Sequence, residues 1–183
     1  MSQYAFESTE KSKKYQEEKL VELIQYLNIH SPFYKRLFSE HEIDLHEIKS
    51  LADLVKLPVT NKEDLQKMNA DFFCVEKDKI IEYASTSGTL GSPVTIALTE
   101  NDLQRLAENE YNSFICADGS ANDIYQLMLT LDRQFMAGIA YYNGLRNLGE
   151  GRIRLGPGGP ALQWETIQQI NTKAIVSGTT FFV

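Results

Sequence analysis

The sequence predicts an α/β protein in which a helical N-terminal segment precedes a partial, mainly parallel sheet with flanking helices. Apolar residues recur at helical spacing in the N-terminal part, and short β-branched and aromatic runs begin at residue 79. From residue 102 onward, predicted helices and strands alternate, which is typical of βαβ units with parallel strands. The expected organisation is a mostly helical segment over residues 1–78 and an α/β part over residues 79–183, which carries the loop at 85–93.

The N-terminal segment is predicted to fold into successive helices. In the first, apolar residues share one helix face, and Pro32 ends the helix because a residue before proline disfavours helical geometry. A second, short helix is expected over residues 34–41. Residues 60–63 fit a capping box that opens a third helix. The residues of the first apolar face are Leu20, Leu23, Ile24 and Leu27.

The α/β part is predicted from runs of β-branched and aromatic residues that alternate with amphipathic segments. A glycine- and proline-rich break at residues 156–160 separates a strand from the helix that follows. The strands are expected over residues 79–84, 94–98, 124–131, 152–155 and 174–177. The helices are expected to open at residues 99–102 and to cover residues 135–148 and 162–171.

Composition excludes several classes of function. The 183 residues are 43% hydrophobic, enough to bury a core, and carry a formal net charge of −7. An acidic chain without a basic cluster is unsuited to nucleic acid, and no apolar run approaches the ~20 residues that cross a bilayer. We therefore expect a cytoplasmic protein without a membrane or nucleic-acid partner. Cys74 and Cys116 are expected to be reduced core residues, and Trp164 is expected to pack in the interior.

The strongest chemical signal lies in residues 85–93, which read S-T-S-G-T-L-G-S-P. Glycines let a backbone turn tightly and approach a ligand, and exposed N–H and hydroxyl groups can donate to phosphate oxygens. A hairpin loop whose hydroxyl groups only satisfy the backbone explains this composition equally well. The segment is not a Walker A loop, because only two residues separate Gly88 from Gly91.

These residues resemble the phosphate-binding loop of the adenylate-forming ligase superfamily, whose usual form is S/T-S-G-T/S-T-G-K-P. Three further segments resemble the phenylacetate–CoA ligases and occur in the same order. They are residues 31–34 (S-P-F-Y), 54–65 (L-V-K-L-P-V-T-N-K-E-D-L) and 99–103 (T-E-N-D-L). Four separated matches are far more specific than the loop alone.

The resemblance implies a ligase that activates a small carboxylic acid with ATP and Mg²⁺ and passes the acyl group from AMP to coenzyme A. An aryl-acetic acid is one possible substrate. In the family, the loop holds the β- and γ-phosphates of ATP. The resemblance thus assigns nucleotide binding to Ser85, Thr86, Ser87, Gly88, Thr89 and Gly91. It also places Phe135 and Gly138 in the acyl pocket, and neither a catalytic residue nor a metal ligand is expected in this chain.

The sequence also departs from the family pattern. Leu90 replaces a hydroxyl residue of the loop, and Ser92 replaces its lysine. The Y-G-x-T-E and T-G-D motifs and the late lysine, which hold adenine, ribose and the carboxylate in the family, are not found. We therefore expect an N-terminal portion that is inactive by itself.

Two alternatives to this interpretation stay open. The chain is a degenerate, non-catalytic binding domain, or the acyl group passes to a protein thiol or an amine instead of coenzyme A. In either case an incomplete sheet would expose apolar surface, including Phe181 and Phe182. A homodimer or other self-association is therefore expected.

Overall fold

The computed structural model describes residues 7–86, 88, 91–149 and 151–178. Its described residues divide into two compact units. The helical unit contains residues 7–80 together with 88 and 91–95, and the sheet unit contains residues 81–86 and 96–178. The predicted domain boundary after residue 78 stays a prediction. No helix among the described residues has both the length and the apolar character needed to cross a membrane.

The helical unit is built around two consecutive helices that share one serine. Ser31 ends the first helix and caps the second, where its hydroxyl accepts a hydrogen bond from the Tyr34 amide at 3.3 Å. The same hydroxyl donates to the Asp71 carbonyl at 2.9 Å. Ile24, Phe38 and Ile48 form the core of this unit. The α-helices are α1 (Thr9–His30), α2 (Pro32–Glu40) and α3 (Lys62–Lys67), and 3-10 turns cover Leu45–Glu47, Leu51–Lys56, Asn69–Phe72 and Lys77–Lys79.

Two predicted helix starts in this unit are displaced. Helix α2 begins at Pro32 rather than at residue 34, because proline at the first helical position loses no hydrogen bond. The capping box of α3 pairs Asn61 with Asp64, one residue after the predicted pair, and both reciprocal bonds are 3.0 Å. Asparagine and aspartate form the same kind of reciprocal pair as the expected threonine and glutamate, so the pattern fits two registers.

The sheet unit confirms the predicted α/β class and its mainly parallel sheet. Strand β3 is central, and its neighbours β4 and β5 both run parallel to it. Strands β1 and β2 form a separate pair, in which the Ile81 amide donates to the Leu98 carbonyl at 3.0 Å. The strands are β1 (Glu82–Ser85), β2 (Thr95–Leu98), β3 (Ile124–Leu127), β4 (Gly151–Arg154) and β5 (Ala174–Val176). The helices are α4 (Glu100–Cys116), α5 (Met136–Leu148) and α6 (Pro160–Ile170).

Strand β3 is shorter than the sequence predicts. Residues 128–131 were expected to continue it, but both neighbouring strands end opposite Leu127, so no ladder remains to extend. Two expected core residues are also on the surface. Cys116 is exposed at the last position of α4, and Trp164 is 60% exposed on α6. Both lie on helices whose buried faces are occupied by other residues.

The two faces of β3 are chemically different. Tyr125 and Leu127 pack with Phe114 of α4 and Leu145 of α5 in an apolar core. Gln126 points to the opposite face and is completely buried. Alternation along a strand therefore gives the sheet one apolar face and one face with a polar centre.

A buried glutamine pair fills that polar centre. The Gln126 side-chain amide donates to the Gln163 side-chain oxygen at 2.6 Å and to the Gln163 carbonyl at 3.2 Å. Gln163 donates in turn to the Gly156 carbonyl at 2.8 Å, and the Thr172 hydroxyl donates to Gln126 at 3.3 Å. The pair thus links β3 to α6 and to the glycine-rich turn before it.

Replacing Gln126 by alanine is expected to lower the free energy of unfolding by about 2 kcal/mol, because Gln163 loses its partner while still buried. Urea denaturation measures this loss. Gln104→Ala on the exposed side of α4 is the matched control and should change stability by less than about 0.5 kcal/mol. A loss at Gln126 no larger than at Gln104 would show that the pair adds nothing to stability.

Candidate functional site

The predicted phosphate-binding loop starts at the end of β1. Ser85 is the last residue of that strand and is partly buried, whereas Thr86 is exposed. The Ser85 amide donates to the Gln134 carbonyl at 3.0 Å, and the Ser85 hydroxyl donates to the Thr86 carbonyl at 3.2 Å. Ser87, Thr89 and Leu90 lie outside the described residues.

Glycines shape the second half of the loop. Gly88 has a φ of +65° and Gly91 a φ of +142°, both in the region that favours glycine. The Gly91 amide donates to the Gly88 carbonyl at 3.2 Å, which closes a tight turn. A Cβ atom at Gly88 would lie 2.9 Å from the Pro93 side chain and 3.1 Å from the Gly91 carbonyl oxygen. The described backbone therefore admits only glycine at position 88.

Two polar side chains of the helical unit hold the end of the loop. The Gln66 side-chain amide donates to the Ser92 carbonyl at 2.6 Å. Asn69 donates to the Thr95 carbonyl at 3.0 Å and accepts from the Thr95 amide at 3.1 Å, as a neighbouring strand would. The sequence gives no indication of either residue, because an amide side chain in a short helix carries no local sign of its distant backbone partner.

Gln134, the residue before the predicted acyl-pocket residue Phe135, contacts the first residue of the loop. Arg133 and Gln134 both have a left-handed backbone, with φ of 56° and 58°, and the Gln134 carbonyl accepts the Ser85 amide. Consecutive non-glycine residues in this conformation store strain, which tends to occur at functional sites. Phe135 follows and is 42% exposed at the start of α5. The structure thus brings Ser85 and the Phe135 segment together.

Gly138 has a packing role that the sequence did not reveal. It is buried in the first turn of α5, where a Cβ atom would lie 2.0 Å from the Thr130 carbonyl oxygen. The helix therefore approaches the backbone after β3 more closely than any other residue would allow. This close contact explains the glycine without reference to a ligand.

No group of three or more His, Cys, Asp or Glu side chains in the described part of the chain is placed to hold a metal ion. Burial raises the pKa of the Cys74 thiol, which opposes formation of a nucleophilic thiolate.

Comparison with known proteins places the chain beside acid–CoA ligases, although no family profile matches it. It is 36% identical over 100 residues to phenylacetate-coenzyme A ligase of Thermus thermophilus, covering 54% of this chain and 22% of the relative. It is 27% identical over 146 residues to the Escherichia coli K12 enzyme of that name, covering 79% of this chain and 33% of the relative. The chain therefore spans between about a fifth and a third of these curated relatives.

Solved structures share the fold over nearly the whole chain. An open conformation of 2-hydroxyisobutyryl-CoA ligase, in complex with 2-HIB-AMP and CoA, matches with a TM-score of 0.80 at 22% identity. The match covers 91% of this chain and 40% of that one. The thioesterification state of the same ligase matches with a TM-score of 0.79 at 23% identity, over 90% and 36% of the two chains. The resemblance found in the sequence motifs is thus confirmed, over part of these ligases.

Proposed function

We propose that the chain, which resembles part of phenylacetate-coenzyme A ligase, is the N-terminal, nucleotide-binding portion of an ATP-dependent acid–CoA ligase. The observation that carries the proposal is the glycine turn at 88–91, which follows β1 in a segment that matches the superfamily loop. In this proposal the β- and γ-phosphates of ATP are held by the loop. The residues involved are Ser85, Thr86, Ser87, Gly88, Thr89 and Gly91.

The reaction suits a site made of hydrogen-bond donors. A carboxylate is ionised at neutral pH and attacks the α-phosphate without a general base. Negative charge then builds on the departing pyrophosphate, and fixed amide and hydroxyl groups stabilise that charge. Mg²⁺, when bound with ATP, supplies further charge neutralisation. The remaining step, attack of the coenzyme A thiol on the acyl-AMP, releases AMP and forms the thioester.

The carboxylic acid would bind beside the Phe135 segment. The Gln134 carbonyl contacts the Ser85 amide, so an acid next to Phe135 would lie close to the first residue of the loop. The partly exposed Phe135 ring offers an apolar surface to the acid. We propose a small carboxylic acid as the substrate, because the similar ligases are named for phenylacetate and 2-hydroxyisobutyrate.

Titration of the whole chain with Mg·ATP tests the proposal. We expect calorimetry to detect binding, and we expect no pyrophosphate release with a panel of carboxylic acids from this chain alone. Binding should be weak, because Ser92 stands where the superfamily loop carries lysine and a phosphate contact is missing. Absence of measurable Mg·ATP binding would support the alternative of a non-catalytic binding domain, and turnover by the chain alone would contradict the assignment as a portion.

We also propose that copies of the chain associate through exposed apolar residues of the sheet unit. Trp164, Leu162 and Ile175 are all close to half exposed or more. Light scattering at increasing concentration is expected to show dimers or larger species, and Trp164→Gln should weaken their formation. A monomer at all concentrations would contradict this expectation. Phe181 and Phe182 lie outside the described residues.

A further inference from the structure

Two arginines occupy the core side of an edge strand. Arg152 and Arg154 of β4 are in register with Tyr125 and Leu127 of β3, so they share the face of the sheet that α5 covers. Residues at such positions are normally apolar, because charge near a core is costly unless another group compensates for it. A departure of this kind from the expected pattern often marks a functional site.

Both arginine side chains lie next to the ring of Tyr142 on α5. The guanidinium carbon of Arg152 lies 4.9 Å from the ring centroid, and that of Arg154 lies 5.6 Å from it. Arg146 is one helical turn further along the same face of α5. A hydrogen bond with Arg152, followed by the charges of Arg152, Arg154 and Arg146, lowers the pKa of the Tyr142 hydroxyl. Positive charge is therefore concentrated here in a chain whose formal net charge is −7.

The positive charges of Arg146 and Arg154 are available to a ligand. Arg146 and Arg154 are exposed, and within the described residues neither forms an ion pair with a carboxylate. Arg146 also lines a groove of about 410 Å³ between α4 and α5, together with Asn143, Asn147 and one carboxylate, that of Glu100. The groove offers amide groups and space to the rest of a molecule whose anionic end is held by the arginines.

We propose that Arg146, Arg152, Arg154 and the Tyr142 hydroxyl form a binding site for a phosphate group of a nucleotide, made of residues other than those of the 85–93 loop. Guanidinium groups bind phosphate through two parallel hydrogen bonds, and the two exposed charges of Arg146 and Arg154 suit a phosphate dianion better than they suit a singly charged carboxylate. The site stands on these residues alone. Its assignment to the phosphates of coenzyme A rests on the proposed function.

Calorimetry with the whole chain tests this site with coenzyme A, 3′-dephospho-coenzyme A and inorganic phosphate as probes. The parent chain should bind coenzyme A, and Arg154→Gln and Arg146→Gln should each raise its Kd about tenfold or more. Arg105→Gln on the exposed surface of α4 is the matched control and should leave the Kd unchanged. Thermal unfolding checks that each variant is folded, and Arg154→Lys, which keeps the charge, should recover part of the affinity.

Each outcome of these titrations decides a point. Weaker binding of the dephospho form would identify the 3′-phosphate as the bound group, and equal binding of both forms would identify the diphosphate; either supports the site. Binding of inorganic phosphate but not of coenzyme A would support the phosphate site and contradict its assignment to coenzyme A. The site is overturned if no probe binds, or if Arg105→Gln weakens binding as much as the other variants do. Mg·ATP binding that persists in Arg146→Gln and Arg154→Gln belongs to the 85–93 loop, so its absence would count against the proposed function only.

Discussion

Replacing Gly138 by alanine should destabilise the sheet unit by about 3 kcal/mol. In most helix interiors this change stabilises, because glycine is about 1 kcal/mol less favourable than alanine. Here the added Cβ atom would lie 2.0 Å from the Thr130 carbonyl oxygen and 3.3 Å from the Leu131 Cα atom. Both are backbone atoms that no rotamer change can move, so the overlap outweighs the gain in helix propensity.

Urea denaturation followed by circular dichroism measures the effect of Gly138→Ala. Gly159→Ala is the matched control, because Gly159 has a φ of −62° and nothing lies within 4 Å of its added Cβ. The control should change the free energy of unfolding by less than about 1 kcal/mol. Equal stability of the two variants would contradict the close approach of α5 to the backbone after β3.

The order of elements in the sheet unit was predictable because each element carries its own local signal. Thr99 and Asp102 form the capping box that opens α4, and left-handed Gly149 ends α5. The residues next to each helix end therefore determine where that helix starts or stops. The length of β3 was not predictable in this way. It depends on where β4 and β5 end, and those strands lie far along the chain.

In the candidate site too, features that depend on neighbouring residues were predictable, and features that depend on distant residues were not. Gly88 and Gly91 were recognisable because a tight turn selects glycine locally. The amide side chains of Gln66 and Asn69 act on backbone groups 26 residues away, and nothing in their own neighbourhood indicates it. The meeting of Ser85 with the Gln134 carbonyl likewise depends on tertiary structure. Local patterns thus identified the loop, whereas its supports became visible only in the fold.

Replacing Gly88 by valine should raise the Kd for Mg·ATP more than about tenfold. The described backbone has a φ of +65° at this position, which a β-branched residue adopts only with strain. The new side chain would also meet Pro93 and the Gly91 carbonyl oxygen, which lie 2.9 and 3.1 Å from the added Cβ. The turn must open, and amide groups that would donate to phosphate oxygens move out of place. Losing one such charged hydrogen bond accounts for about a tenfold change.

Gly149→Val separates loss of binding from loss of stability in this experiment. Gly149 has a φ of +85° at the end of α5, and nothing lies within 4 Å of its added Cβ, so valine there meets backbone strain without a contact in the loop. Both variants should unfold at lower urea concentration than the parent chain, whereas only Gly88→Val should weaken Mg·ATP binding in calorimetry. Unchanged affinity in a folded Gly88→Val chain would show that this loop does not bind the phosphates of ATP. That result would contradict the proposed ligase function.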